Sequence, residues 1–323
     1  MLIYSETTVK PKSALRRIKK YIRNTPLDEF KELSQLTFNK IFLKLENWQE
    51  TGSFKVRGAL NRMLTLKEED KSRGVITASA GNHGLGVAYA SELLGIPARI
   101  VMPVSAAQTK IKMLSTFGAE VVQAGRDYDE SEDVAHRIES DCKLTFVHAF
   151  EDPYIIAGQG TIALEILKKL PQTEIIVAPV GGGGLVSGLA IAAKQINPDI
   201  KIIGVQSEAS PAMYRAWKSN QAIESPILDT IADGLAGRLV SPTMLATVQK
   251  YVDDLVLVSE KEIIDAMLYL LETKHILVEG AAAVGVAAIK NKRIKAVDKN
   301  IAIVISGRNI DLTIVRKVLN SKF

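Results

Sequence analysis

The chain alternates between two kinds of hydrophobic pattern. Short apolar runs, many of them β-branched, predict strands at Val75–Ser79, Ala98–Met102, Glu120–Gln123, Leu144–Ala149, Ile175–Pro179, Ile200–Val205, Leu255–Val258 and Ile301–Ser306. Longer stretches of helical period predict helices at Gly84–Leu94, Ala107–Phe117, Glu130–Ser140, Pro153–Leu170, Ser187–Gln195, Glu260–Thr273 and Ala281–Ile289. Strand–helix alternation places helices on both faces of parallel sheets. The expected fold class is therefore α/β, with open, mainly parallel twisted sheets flanked by helices. Four of the strands fall within residues 67–149, enough for a small sheet of their own. The expected division is a small domain at 67–149 and a large one built from 1–66 and 150–323. Sheets of this kind bind ligands in the loops at the carboxyl ends of their strands, so chemistry is sought there.

Composition narrows the classes of function. The chain has 323 residues, 47% hydrophobic and 24% charged, which is ordinary globular composition and excludes disorder for its bulk. The 41 Lys+Arg and 36 Asp+Glu leave a net charge of +5, spread along the sequence and not gathered into a basic arm, so nucleic acid is not expected as a partner. The longest apolar runs, such as Ile301–Ile305, are far below the roughly 20 residues that cross a bilayer. Met1 to Lys12 lacks an apolar signal core. A soluble cytoplasmic protein with no membrane partner is expected. A lone Cys142 forms no internal disulfide, and His83, His136, His148 and His275 never approach paired metal-ligand spacing.

Four loop motifs carry candidate chemistry. In Ser53-Phe54-Lys55-Val56-Arg57-Gly58, Lys55 is either a solvated lysine at a helix start or an amine held beside apolar surface. In the second case desolvation lowers its pKa and makes it a nucleophile toward carbonyl groups. The run Thr77-Ala78-Ser79-Ala80-Gly81-Asn82-His83-Gly84 follows a strand and opens a helix. It reads equally as a plain capped turn or as an anion site, since free N–H groups and the helix dipole converge there on a group the size of a carboxylate. Gly181-Gly182-Gly183-Gly184 is the strongest signal, because four successive glycines let backbone wrap a phosphate and a simple turn rarely needs four. It is not a strict dinucleotide fingerprint: Ser187 stands where the third glycine would fall, and no Walker lysine pattern is present. Ser306-Gly307-Arg308-Asn309 ends a buried strand; its serine is a helix cap or a neutral hydroxyl for a ligand ring nitrogen.

A lysine, a phosphate cup, a carboxylate-sized anion loop and a hydroxyl together suit a phosphorylated carbonyl cofactor and an amino-acid substrate, and pyridoxal 5′-phosphate has each required group. The sequence resembles the fold-type II (tryptophan synthase β-like) pyridoxal-phosphate enzymes, in the threonine/serine dehydratase and serine racemase branch. The resemblance runs from Arg23-Asn24-Thr25-Pro26-Leu27, through the four motifs, to Ile231-Ala232-Asp233-Gly234-Leu235, Val278-Glu279-Gly280-Ala281 and Ser306-Gly307-Arg308-Asn309. It implies that Lys55 is the Schiff-base lysine, with Phe54 beside the cofactor ring. It implies that Gly181, Gly182, Gly183 and Gly184, with the N–H of Leu185, hold the phosphate. Asn82 is expected to face the cofactor 3′-oxygen; Ser79, Asn82 and His83 the substrate carboxylate; Ser306 the pyridine nitrogen. Gly234 and Glu279 are expected to line the pocket.

The implied activity is dehydration and deamination of L-threonine, L-serine or a related β-hydroxy amino acid to a 2-oxo acid and ammonia. A serine at the ring nitrogen leaves that nitrogen largely neutral and the substrate carbanion weakly delocalised, which favours β-elimination. The racemases of this branch carry a second serine where this chain has Ala80, so the dehydratase reading leads; serine racemase and 3-hydroxyaspartate dehydratase are the alternatives within the family. Racemase-like members also bind a divalent cation through a glutamate and an aspartate. Gln206 and Ala212 stand near those positions here and only Glu208 could contribute, so a divalent or monovalent cation is left open. A homodimer or homotetramer is expected. The rivals from other classes are an NAD-dependent oxidoreductase, using the glycine loop for pyrophosphate and Glu208 for ribose, and a non-catalytic amino-acid sensor on the same fold.

Overall fold

A computed structural model describes residues 3–79, 81–106, 108–126, 128–226 and 228–321. Its strands are β1 (Leu27–Glu29), β2 (Lys40–Leu45), β3 (Val75–Ala78), β4 (Ala98–Met102), β5 (Glu120–Gln123), β6 (Thr145–Phe146), β7 (Ile175–Pro179), β8 (Lys201–Ser207), β9 (Asp254–Val258) and β10 (Asn300–Ile305). They form a six-stranded sheet of order β1-β2-β10-β7-β8-β9 and a four-stranded sheet of order β5-β4-β3-β6. Every pairing is parallel except that of the short edge strand β1 with β2.

The sequence of β7 and β10 shows why the larger sheet is buried on both faces. Ile176, Ala178, Ala302 and Val304 point into one hydrophobic cluster, while Ile175, Val177, Ile301 and Ile303 point into another. The first is closed by the helices Pro153–Lys169 and Gly184–Lys194, the second by Glu260–Lys274 and Gly280–Lys290. Burying each such side chain contributes about 1.5–3 kcal/mol, so a run with no polar alternate position is stable only between two helical layers. The smaller sheet repeats the scheme, with Val75, Ala98 and Ile100 on one side and Ile76, Ala78 and Val101 on the other.

Two helices depend on local signals, and a third does not. Asp152 caps Pro153–Lys169 by accepting from the N–H groups of Tyr154 and Ile155, at 2.7 and 3.0 Å. Ser259 and Glu262 form a reciprocal capping box on Glu260–Lys274. The helix Lys55–Leu64 has no side-chain cap at all, and is held by close packing instead. A Cβ on its Gly58 would lie 2.5 Å from Gln159, and one on Gly158 would lie 2.6 Å from the Arg57 carbonyl oxygen. Val56, Ala59, Leu60 and Met63 of this helix pack with Val75, Val87 and Ile100 of the smaller sheet's layer, so one hydrophobic cluster runs across residues 66 and 67.

Two sequence expectations are corrected in detail. The run Leu144–Ala149 was expected as one strand, but only Thr145–Phe146 pairs as β6. The carbonyls of Val147 and Ala149 accept from side chains instead. The expected helix at Ala107–Phe117 is Gln108–Ser115, its first expected residue lying outside the described residues. Among the described residues no helix is long and apolar enough to cross a membrane.

Candidate active site

Loops from the carboxyl ends of β3, β7 and β10 meet the start of the helix Lys55–Leu64 around a cavity of about 1440 Å³. All four sequence motifs line it: Lys55 with Phe54, Ser79 with Asn82 and His83, Gly181–Gly184 with Leu185, and Ser306. Gly234 and Glu279 line it as well. The Lys55 and Ser306 loops are joined directly, since Ser53 and Gly307 form a β-bridge and the Phe54 N–H donates to the Ser306 carbonyl at 3.1 Å.

Lys55 is the first residue of its helix, and its Nζ donates to the Ala149 carbonyl at 2.9 Å, 5.5 Å from the centre of the Phe54 ring. Burial brings its pKa down from 10.5 to about 8, against a smaller opposing pull from Glu279. Near neutral pH the amine is thus far closer to giving up its proton than a solvated lysine.

Asn82 opens the helix Asn82–Leu94, where the first N–H groups have no intrahelical acceptor. Its side-chain amide is engaged at both ends: Nδ2 donates to both Glu279 carboxylate oxygens at 2.9 Å, and Oδ1 accepts from Asn309 Nδ2 at 2.7 Å. Asn309 also donates to the Thr51 carbonyl at 2.8 Å. The His83 ring is buried, its Nε2 2.9 Å from the Val147 carbonyl, and its Nδ1 has no partner among the described residues. Burial first, then the neighbouring Lys55, take its pKa from 6.5 to about 3, so the ring is neutral. With Nε2–H donating to Val147, Nδ1 is an acceptor and offers nothing to a carboxylate; the backbone N–H of His83 is the donor that remains. Ser79 Oγ accepts from the Gly81 N–H at 3.2 Å. Ala80, the position that separates racemase from dehydratase, lies outside the described residues.

The glycine loop is a cradle that side chains would fill. Gly183 has φ +89°, in the left-handed region that favours glycine, and Gly184 begins the helix Gly184–Lys194. A Cβ on Gly182 would sit 2.5 Å from the Phe150 ring, and one on Gly184 2.9 Å from Phe150 Cβ. A Cβ on Gly181 would meet the Gly234 carbonyl at 3.3 Å and Leu235 Cα at 3.6 Å. Backbone N–H groups at this helix N-terminus make a seat for a phosphate dianion. Ser306 is buried, yet it lines the cavity. Pyridoxal phosphate fits this set: an amine for its carbonyl carbon, a glycine cradle for its phosphate and a hydroxyl for its ring nitrogen.

Glu279 is buried and lines the same cavity, against Gly307, where a Cβ would come within 2.4 Å of its carboxylate. Burial, with Asp233 adding to it, raises its pKa from 4.5 to about 7, partly offset by the Asn82 hydrogen bond. The candidate cation positions hold no cluster. Gln206 Oε1 accepts from the Tyr214 N–H at 2.7 Å, and Glu208, half exposed, lies 3.8 Å from Arg293. Among the described residues no group of three or more His, Cys, Asp or Glu side chains comes together.

One feature of the site is not visible in the motifs. Behind Lys55, Arg57 is wholly buried in a cluster with Glu46, Glu165 and Lys44. Arg57 stands inside the Lys55 motif, but its partners lie up to 108 residues away in sequence.

Comparison with known proteins bears on this geometry. Residues 18–307 match the family model described as pyridoxal-phosphate dependent enzyme. The chain belongs to this family. The family's cofactor selects the pyridoxal-phosphate reading of the glycine loop over the dinucleotide one. The enzyme is 47% identical over 309 residues to an L-threonine ammonia-lyase of Thermotoga maritima, covering 96% of this chain and 77% of the relative. Among solved structures it is similar to threonine deaminase isoform 2 from Solanum lycopersicum, with TM-score 0.91 and 35% identity, covering 97% of this chain and 88% of the other. It is also similar to maize serine racemase, with TM-score 0.91 and 32% identity, covering 98% and 97%.

Proposed function

We propose that the enzyme is an ammonia-lyase that converts L-threonine, L-serine or a related β-hydroxy amino acid to a 2-oxo acid and ammonia. The observation that carries this reading is the meeting, in one cavity, of the Lys55 amine, the Gly181–Gly184 cradle and the Ser306 hydroxyl. The 47% identity to an L-threonine ammonia-lyase supports threonine among the substrates.

When bound, the cofactor supplies an electron sink for the pair left at the substrate α-carbon. Lys55 would hold the cofactor by its carbonyl carbon, and as a free amine Nζ would take the α-proton, a role suited to an amine titrating at about 8. Gly181–Gly184 and the Leu185 N–H would hold the phosphate. The N–H groups of Asn82 and His83, with Ser79, bind and orient the substrate carboxylate. Asn82, whose Nδ2 donates to Glu279, would face the cofactor's ring oxygen. Ser306 would meet the ring nitrogen with a neutral hydroxyl, which would leave that nitrogen unprotonated and favour elimination. Phe54 and Gly234, which line the cavity, would flank the ring.

Racemisation is the second reading, favoured by the likeness to maize serine racemase. Ala80 weighs against it, since a methyl group moves no proton to the face of the α-carbon opposite Lys55. Residues 67–149 are proposed as a small domain, and a homodimer or homotetramer in the cytoplasm as the working form. The test is ammonia and 2-oxo acid release from L-threonine and L-serine by protein whose visible absorption band is abolished by borohydride. Chiral chromatography of the residual serine runs beside it. Loss of the band without ammonia release, or D-serine as the main product, overturns the ammonia-lyase reading.

A further inference from the structure

Arg57 follows Lys55 by two residues in the helix Lys55–Leu64, about 200° around its axis, so it faces away from the direction in which Lys55 reaches. All five of its N–H donors find acceptors. Nε and Nη2 donate to Glu46 at 2.7 and 2.8 Å; Nη1 and Nη2 donate to Glu165 at 2.7 and 2.8 Å; Nη1 also donates to Thr161 at 3.0 Å. Glu46 belongs to the turn after β2, while Thr161 and Glu165 belong to the helix Pro153–Lys169. Lys44 of β2 completes the cluster, donating to Glu165 at 2.6 Å and to the Thr25 carbonyl at 2.7 Å. Thr25 Oγ1 donates to Glu46 at 2.5 Å.

Stability alone does not account for this arrangement. A buried, charge-balanced group of this kind is commonly replaced by well-packed apolar side chains with no loss of stability, so what it contributes is a defined geometry. Two planar carboxylates gripping one planar guanidinium fix rotation and height together, which apolar packing does not do. The turn that begins with Lys55 needs such a device. It lacks a side-chain cap, and Gly58, Gly86 and Gly158 let its neighbours approach closely without a knob to set its rotation. The further polar ties lie a turn later, at Asn61 to the Tyr154 carbonyl and Arg62 to Asp152.

We propose that Arg57 is a positioning residue: held between Glu46 and Glu165, it sets where the Lys55 amine reaches into the cavity, by geometry and not by charge. The proposal rests on Lys55 being the reacting amine. The cluster carries two positive and two negative groups, and none of them is among the charges that bear on Lys55.

The test is Arg57→Lys, which keeps the charge and loses the fork. The expected result is full cofactor content, kcat lower by about 10- to 100-fold with KM within about threefold, and an unchanged pH midpoint for the visible band of the bound cofactor. Leu270→Ala, buried in the distant helix Glu260–Lys274, serves as a control that lowers the unfolding temperature with kcat intact. The rate at which added glycine displaces Lys55 from the cofactor, read from the spectrum, should fall in parallel with kcat. That rate needs no elimination, so failure of the ammonia-lyase reading leaves it measurable. If Arg57→Lys accumulates no folded protein, Thr161→Val removes one acceptor and keeps every charge; about a 3- to 10-fold slower exchange is expected. An exchange rate equal to that of the parent, or a shifted pH midpoint, overturns the proposal.

Discussion

Two buried groups of charged side chains begin within one helical turn of each other, at Arg57 and at Lys55, and their chemistry runs in opposite directions. Around Arg57 each donor has an acceptor. Burial there favours neutral Glu46, yet Arg57, assisted by Lys44, holds its carboxyl below the usual range, and Glu46 with Glu165 holds the guanidinium firmly charged. Around the cavity the same kinds of group are desolvated without being matched. Lys55 comes down to about 8 and Glu279 rises to about 7, so two groups with ordinary values of 10.5 and 4.5 nearly meet. Burial is common to both regions. Opposite charge within hydrogen-bond reach holds Glu46 and Arg57 ionised, although burial lowers the Lys44 pKa in their cluster as it lowers that of Lys55 in the cavity.

The contrast can be broken most severely at Lys55. Lys55→Ala should abolish the visible band and lower turnover by at least about 1,000-fold, measured by absorbance and ammonia release; a persistent band would remove Lys55 from the centre of the site. Next in size, Glu165→Leu leaves Arg57 and Lys44 short of a counter-charge and should cost about 3–5 kcal/mol in denaturant unfolding of the loaded enzyme. A loss near zero would show that the cluster is not the saturated unit described. Gly181→Ala should weaken cofactor binding by about 10- to 100-fold, or about 1.4–2.7 kcal/mol, because the added methyl meets little protein and occupies the cradle. Fluorescence titration with the cofactor checks it, and unchanged affinity would place the phosphate elsewhere.

The smallest effect is expected from Glu279→Gln. Above pH 7 the Glu279 carboxylate supports the charged form of Lys55, so its removal should move the ascending limb of kcat toward lower pH by less than about one unit. Stability carries a second sign. The folded-state pKa of Glu279 is raised, so the folded enzyme holds an extra proton between about 4.5 and 7, and its contribution falls as pH rises through that window. Glu279→Gln should flatten that fall in urea midpoints taken at pH 5 and pH 8; an unchanged slope would show that Glu279 does not titrate there.

What the sequence disclosed follows the same division. The strands β3, β4, β5, β7, β8, β9 and β10, the glycine loop and the Lys55 and Ser306 motifs depend on local pattern, and each was legible. β2 was missed because Lys44 interrupts its apolar run, and the carboxylate that makes a buried lysine tolerable, Glu165, is 121 residues away. Arg57 was hidden for the same reason. The helix Lys55–Leu64 has a glycine within it and no cap, so beyond the helix-start alternative for Lys55 nothing local marked its extent. The helix Pro242–Tyr251 did carry a readable signal, since Ser241 caps it and Pro242 stands at its first position. Local chemistry is written in neighbouring residues, whereas charge matching is written across the fold.

The place of β10 also governs how the molecule comes into being. Residues 300–305 are the last strand in the chain order of the described residues, yet they enter the middle of the six-stranded sheet, between β2 and β7. On the ribosome, β2 and β7 therefore each keep one edge open until residues 300–305 are made, and the Ser53–Gly307 bridge forms only once residue 307 is in place. A nascent chain stopped short of residue 306 has the lysine and the glycine loop but no closed pocket.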